Sequence, residues 1–165
     1  MDREKNTKES KVIWEKVTGS EEETRELGER LARGLKPGDV VALFGELGSG
    51  KTTFTQGMAV GCGIEPRIVK SPTFVIQKEY PGNLPMAHVD AYRLSGAADV
   101  AWLDLDLIFS PDKLTVIEWA ERFEELIPQQ ALRLELAHVS TKRRRIRLTS
   151  DNARTQEVVH GLTGD

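Results

Sequence analysis

The chain has 165 residues, 39% of them apolar and 30% charged, which bounds it at about one domain with enough apolar area for its own core. Lys and Arg number 23 against 26 Asp and Glu, so a net charge of −3 excludes a protein that is basic over its whole surface and leaves room only for a local patch. One cysteine, Cys62, excludes an intrachain disulfide or a cysteine-built metal cluster, and no apolar run approaches the roughly 20 residues of a transmembrane helix, so a cytoplasmic protein with no membrane association is expected.

The opening MDREKNTKESK lacks the apolar centre of a signal peptide and reads as a disordered tail over residues 1–11. Val12, Trp14 and Val17 then mark a short edge strand. Ser20 with Glu23 three residues on has the spacing of a capping box, which starts a helix whose Leu27, Leu31 and Leu35 share one stripe. Lys36-Pro37-Gly38-Asp39 ends it in a turn. Residues 40–44, VVALF, are apolar without alternation, the pattern of a strand buried on both faces of a parallel sheet. The chain runs from that strand into GELGSGKT at 45–52 and then into a helix with Phe54, Met58 and Ala59 on one stripe. Further strands are predicted at 75–80, 86–91, 114–119, 132–139 and 143–149, with helices at 97–107 and 120–127. Early strands alternate with helices and the last two form a hairpin. The reading is therefore a three-layer α/β fold of the P-loop NTPase kind with a mixed, mostly parallel sheet over residues 12–150, followed by an extension at 151–165.

The segment 45–52 matches G-x-x-x-x-G-K-[ST] in full, between a buried strand and a helix. Such a loop curls so that backbone N–H groups point at phosphate oxygens, reinforced by the positive end of the following helix. Lys51, expected to face solvent or phosphate instead of the core, has the reach for β- and γ-phosphates, and the Thr52 hydroxyl is placed to ligate Mg²⁺. A dinucleotide-binding G-x-G-x-x-G fails at Thr53, where its third glycine would stand. Adenine is favoured over guanine because no Asn-Lys-x-Asp is present.

A P-loop needs a carboxylate at the end of a neighbouring strand. Asp90 and Glu118 both qualify, Glu118 ending the more apolar segment. One of them serves Mg²⁺ and the other the attacking water, in an order the pattern leaves open. His88 is either a packing residue or part of this cluster, and Arg93 either a phosphate clamp or a solvated ion-pair partner. Trp119 follows Glu118 and, on strand alternation, points to the opposite face into the core. Thr73, in Ser71-Pro72-Thr73-Phe74, lies where P-loop proteins carry a loop sensing the γ-phosphate. The run Lys142-Arg143-Arg144-Arg145 with Arg147 places three arginines on one strand face, read first as a solvated face and second as a contact for RNA or an acidic partner.

GELGSGKT, SPTF at 71–74, HVDAYR at 88–93 and IEW at 117–119, in that order, resemble the TsaE (YjeE) family over about residues 12–150. The resemblance implies a bacterial ATPase serving N6-threonylcarbamoyladenosine synthesis beside the anticodon of tRNA, acting with TsaD and TsaB and meeting tRNA only through that complex. It implies ATP and Mg²⁺ as ligands. Carried over by motif, Glu46, Leu47, Gly48, Ser49, Gly50, Lys51, Thr52, Thr53, Thr73 and Trp119 surround the nucleotide. Thr52, Asp90 and Glu118 serve the metal, and the two acids are the catalytic pair. The stretch 95–108 is a loose version of the family's helix, and the Lys/Arg run is richer than usual. A small-molecule P-loop kinase is the alternative, set back by the lack of a convincing arginine-bearing lid.

Overall fold

Apolar runs without alternation at 40–44 and 114–118 demand cover on both faces, and the structure, a computed structural model describing residues 11–71, 77–94, 99, 101–122 and 124–163, provides it with a sheet between two layers. The strands are β1 (Trp14–Thr18), β2 (Val40–Phe44), β3 (Gln77–Tyr80), β4 (Met86–Asp90), β5 (Leu114–Glu118), β6 (Leu132–His138) and β7 (Arg144–Thr149). Their order is β1-β7-β6-β2-β5-β4-β3. β2 pairs in parallel with β5 and β6, and β4 with β5. β1 with β7, β6 with β7 and β3 with β4 pair antiparallel. Five strands therefore point one way and only β3 and β7 the other, the mixed, mostly parallel sheet expected from the sequence. The parallel register puts the ends of β2, β4 and β5 side by side, with Leu43 opposite Glu118 and Glu118 opposite Asp90.

One face carries helices α1 (Glu21–Arg33) and α2 (Lys51–Gly61). Val41, Leu43, Val116 and Leu134 from the strands meet Leu27, Leu31, Phe54 and Met58 there. α1 starts where the capping pattern predicts: Glu23 N donates to Ser20 Oγ at 3.2 Å, while the Glu23 carboxylate accepts from Gly19 N at 2.6 Å. The two helices approach backbone to backbone. A Cβ on Gly57 would lie 2.1 Å from the Arg25 carbonyl oxygen, and one on Gly28 would lie 2.5 Å from that of Phe54.

The other face packs Val40, Ala42, Val89 and Ile117 against Leu94, Ile108, Ala120 and Ala131. Of the helix expected at 97–107, residues 97, 98 and 100 lie outside the described residues and Asp99 is helical; further on, α3 (Leu105–Ile108) starts after an extended Asp104, whose side chain accepts from Leu107 N. The stretch 120–127 forms two 3₁₀ turns, Ala120–Arg122 and Glu124–Leu126. These turns replace the α-helix expected there, and Ala120, Leu126 and Ile127 still pack on the second core cluster.

Beyond residue 150 the chain folds as α4 (Ala153–His160), whose Val159, with Leu162, enters the α1–α2 core. Arg154 pairs with Asp39, and Arg30 donates to the Leu162 carbonyl at 2.9 Å. The tail at residues 1–10 lies outside the described residues.

Candidate active site

The loop between β2 and α2 owes its shape to glycine. Gly45 has φ 151°, and a Cβ there would sit 2.5 Å from both the Leu136 carbonyl oxygen and Ser49 Oγ. Gly50 caps α2 in the left-handed region at φ 103° with no side-chain acceptor, so the first N–H groups of α2 keep their donors for something else. Lys51 folds back over this hollow. Its Nζ donates to the carbonyls of Gly45 at 2.5 Å and Glu46 at 2.9 Å, reaches Ser49 Oγ at 3.4 Å, and stands 3.8 Å over the Trp119 ring centroid. The lysine is 5% exposed, so of the two expected settings, solvent or the phosphate side of the loop, its side chain does not take the first. Burial pulls its ammonium below the usual lysine range, against the opposing charges of Glu121, Glu118 and Asp90.

Glu118 is the hub of the strand ends. It is 1% exposed. Its Oε2 accepts from Thr52 Oγ1 at 3.4 Å and Ser71 Oγ at 3.3 Å, and its Oε1 accepts from Thr55 Oγ1 at 3.3 Å. Thr52 and Ser71 share a further hydroxyl contact of 2.9 Å. His88 Nε2 lies 3.3 Å from the same Oε2, within charge-pair range but off the line of a hydrogen bond. Burial raises the Glu118 carboxyl, but His88 and the threonine hydroxyls outweigh it and hold the group below its ordinary value. Asp90, on the same face one strand away, is half-buried and accepts from Tyr92 N at 2.9 Å. Burial and the neighbouring Glu118 charge push Asp90 above the ordinary carboxylate range, with the Tyr92 N–H opposing them. Two adjacent acids are thus driven apart, one ionised and one easier to protonate.

Trp119 does not follow strand alternation. Its backbone turns left-handed at φ 56°, the one positive φ of a non-glycine among the described residues, and this swings the indole to the Glu118 side. There it covers Lys51 and stacks on Tyr92 with ring centroids 4.8 Å apart. Leu47, Gly48, Gly50, Lys51, Thr52, Thr53, Glu118 and Trp119 line one cleft of about 260 Å³, together with Glu21 and Ser71. Glu46 and Ser49 border instead a second hollow of about 430 Å³ towards Glu135 and His138 of β6. Thr73 lies outside the described residues.

Between residues 18 and 146 the chain matches a family model described as "Threonylcarbamoyl adenosine biosynthesis protein TsaE". The chain belongs to the TsaE family. That family takes part in tRNA threonylcarbamoyladenosine biosynthesis. The chain is 41% identical to the TsaE of Bacillus subtilis over 147 residues, 88% of this chain and 91% of that protein. It is 48% identical to the TsaE of Streptomyces coelicolor over 116 residues, 68% of this chain and 77% of that one. A crystal structure of Bacillus subtilis YdiB superposes with a TM-score of 0.78 at 38% identity, covering 91% of this chain and 93% of that one.

Sequence reasoning passed over several residues that this TsaE-family chain brings to the cleft. Thr55 follows Lys51 by one helical turn, a spacing that was available as a signal. Ser71 lies inside the SPTF segment, whose pattern singles out Thr73. Glu21 arrives from the start of α1, and nothing local announces it. Arg144 leaves the basic run to donate through Nη2 to the Gly48 carbonyl at 3.2 Å and through Nη1 to carbonyls of Ser140, Thr141 and Arg143. Arg145 and Arg147 face Glu15 of β1, with Arg147 Nε to Glu15 Oε2 at 2.6 Å, so that part of the run is a paired sheet face.

Proposed function

We propose that this chain is a Mg²⁺-dependent ATPase that serves threonylcarbamoyladenosine biosynthesis through ATP-dependent association with the TsaD–TsaB complex. The observation that carries the reading is the convergence of the Thr52 and Ser71 hydroxyls on the buried Glu118 carboxylate, beside a glycine loop already holding the Lys51 ammonium. Unclaimed N–H groups at the head of α2 and the Lys51 cation suit the β- and γ-phosphates. The donor set fits Mg²⁺: one hydroxyl and carboxylates at the strand ends, with no cluster of three His, Cys, Asp or Glu among the described residues, suit an ion that shares its shell with phosphates and water. Thr52 and Glu118 would hold it. When bound, Mg²⁺ neutralises charge on the phosphate oxygens.

Glu118 stays ionised in its ring of donors. Asp90, opposite Glu118 on the adjacent strand end but outside the cleft lining, carries the more basic carboxyl and would orient the attacking water and take its proton as the bond to the γ-phosphorus forms and the bond to the ADP oxygen breaks. The partner follows from the family resemblance, and the Thr52–Ser71 contact supports it. Ser71 shares that contact, so a change of partner at Thr52 is felt at Ser71.

The test has two parts. Turnover of ATP to ADP and phosphate is measured with and without Mg²⁺, for wild type and Lys51→Ala. TsaD–TsaB is then titrated against the chain with an ATP analogue, with ADP and without nucleotide. Metal-dependent turnover lost in Lys51→Ala, and a partner affinity that differs between ATP-like and ADP states, are the expected results. Mg²⁺-independent turnover overturns the catalytic reading, and equal affinities overturn the association.

A further inference from the structure

The geometry points to His88 as the positioning residue that aims the Glu118 carboxylate, a role that rests on the ATPase reading above. His88 is fully buried on β4. Its register partners are Val116 on β5 and Lys78 on β3, while Glu118 stands opposite Asp90. His88 therefore reaches Glu118 along the diagonal, two residues down the adjacent strand on the same face. Among the described residues, neither ring nitrogen has an aligned hydrogen-bond partner, and the Glu118 carboxylate is the acid within ion-pair distance, at 3.3 Å. A buried imidazole so poorly satisfied weakens the fold, and a valine would fill this strand position without that cost. Packing alone gives no reason for a histidine here.

The other contacts to Glu118 show what the imidazole supplies. Three hydroxyls approach it: Thr52 and Ser71 at Oε2, and Thr55 at Oε1. In the ATPase reading the Thr52 hydroxyl serves the metal, and Ser71 belongs to the segment that responds to nucleotide. Those two are free to leave. Thr55 sits within α2 with its hydroxyl also on the Lys51 carbonyl at 2.9 Å, and His88 is held inside the sheet. These two remain, one on each oxygen, and fix the plane of the carboxylate while its other contacts exchange. His88, fully buried behind the carboxylate, acts through Glu118.

The full chain is assayed with TsaD–TsaB present, comparing wild type with His88→Leu, His88→Gln and His88→Asn. Steady-state turnover and ATP affinity are measured separately. His88→Leu is expected to lower kcat about tenfold or more while leaving KM within about threefold, because aim is lost and not binding. Glutamine carries an amide nitrogen where Nε2 stands, so His88→Gln recovers most of the turnover. Asparagine is too short to reach, and His88→Asn stays near His88→Leu. Should His88→Leu fail to fold, Gln against Asn still decides. Wild-type turnover in His88→Leu, or equal losses in Gln and Asn, overturns the positioning role and leaves the ATPase intact. No turnover by wild type, alone or with the partners, overturns both.

Discussion

The two faces of the sheet are built by different means, and the site straddles them. On one face α1 and α2 pack through glycines, and the phosphate loop, Lys51, Thr55 and Glu118 are locked into that buried layer. On the other, α3 and two 3₁₀ turns cover the strands, and Trp119, which lines the cleft, is backed there by Tyr92 and, behind it, Arg122. Arg122 stacks its guanidinium 5.4 Å from the Tyr92 ring. The groups assigned to charge thus stand on rigid helix and strand, while those that enclose it stand on short turns with half-exposed aromatics. Elements with few buried contacts open most easily. The wall is expected to yield before the floor.

The strongest way to break this comparison is at the helix crossing. Gly57→Ala drives a Cβ into the Arg25 carbonyl, and α1 and α2 have to part. A loss of about 3 kcal/mol or more is expected in urea denaturation. Ile108→Ala on the turn-built face should cost only about 2 kcal/mol, since short turns relax around the gap. Equal losses would mean that the two faces are equally rigid.

Glu118→Gln keeps the shape of the hub and removes its charge. Turnover should fall about 100-fold while ATP affinity changes less than about tenfold, because the charge matters most where it develops in the transition state. Asp90→Asn should do the same to a smaller degree, and an affinity loss matching the turnover loss would move either acid from chemistry to binding.

At the wall, Trp119→Ala removes the ring from Lys51 and from Tyr92. ATP affinity is expected to fall about fivefold, the worth of one partly exposed cation–ring contact. Thermal stability should be nearly unchanged, since the left-handed backbone is easier for a smaller residue. A collapse of stability would show that the wall is as structural as the floor.

An effect confined to alkaline pH is read at Cys62, buried under the end of α2, where burial pushes the thiol up to about 11 from its ordinary 9.0. The folded thiol stays neutral while the unfolded one ionises, so its contribution to stability is whole below pH 9 and fades between pH 9 and 11. Cys62→Ala should lack that decline. In native wild type at pH 8 a thiol reagent should react only after denaturant is added, and rapid native labelling would show that this layer opens.

Those four probes follow the line between what was legible in the chain and what was not. β2, the glycine loop and the head of α2 are contiguous, so residue identity and period alone predicted the strand, glycine loop and helix in sequence, and Glu118 was visible as the acid closing a largely apolar strand. The start of α1 was legible from Ser20 and Glu23 for the same local reason. Strand alternation alone sends Trp119 to the opposite face; the left-handed turn, which no neighbouring residue signals, lets its ring reach Lys51 while it also packs on the second core cluster. The helix expected at 120–127 gave way to two 3₁₀ turns that the spacing of its apolar residues does not announce, while much of the one expected at 97–107 lies outside the described residues.

Sequence by itself determined the local chemistry: which residues can bind phosphate, which strands are buried, and which helices have a stripe to pack. Only the tertiary structure decided their meeting. Ser71 and His88 lie 47 and 30 positions from Glu118 and reach it through loop placement and diagonal strand register, and Arg144 arrives at Gly48 across 96. Such contacts follow from strand order and register, which are set by burial of the whole sheet and leave no period in the chain.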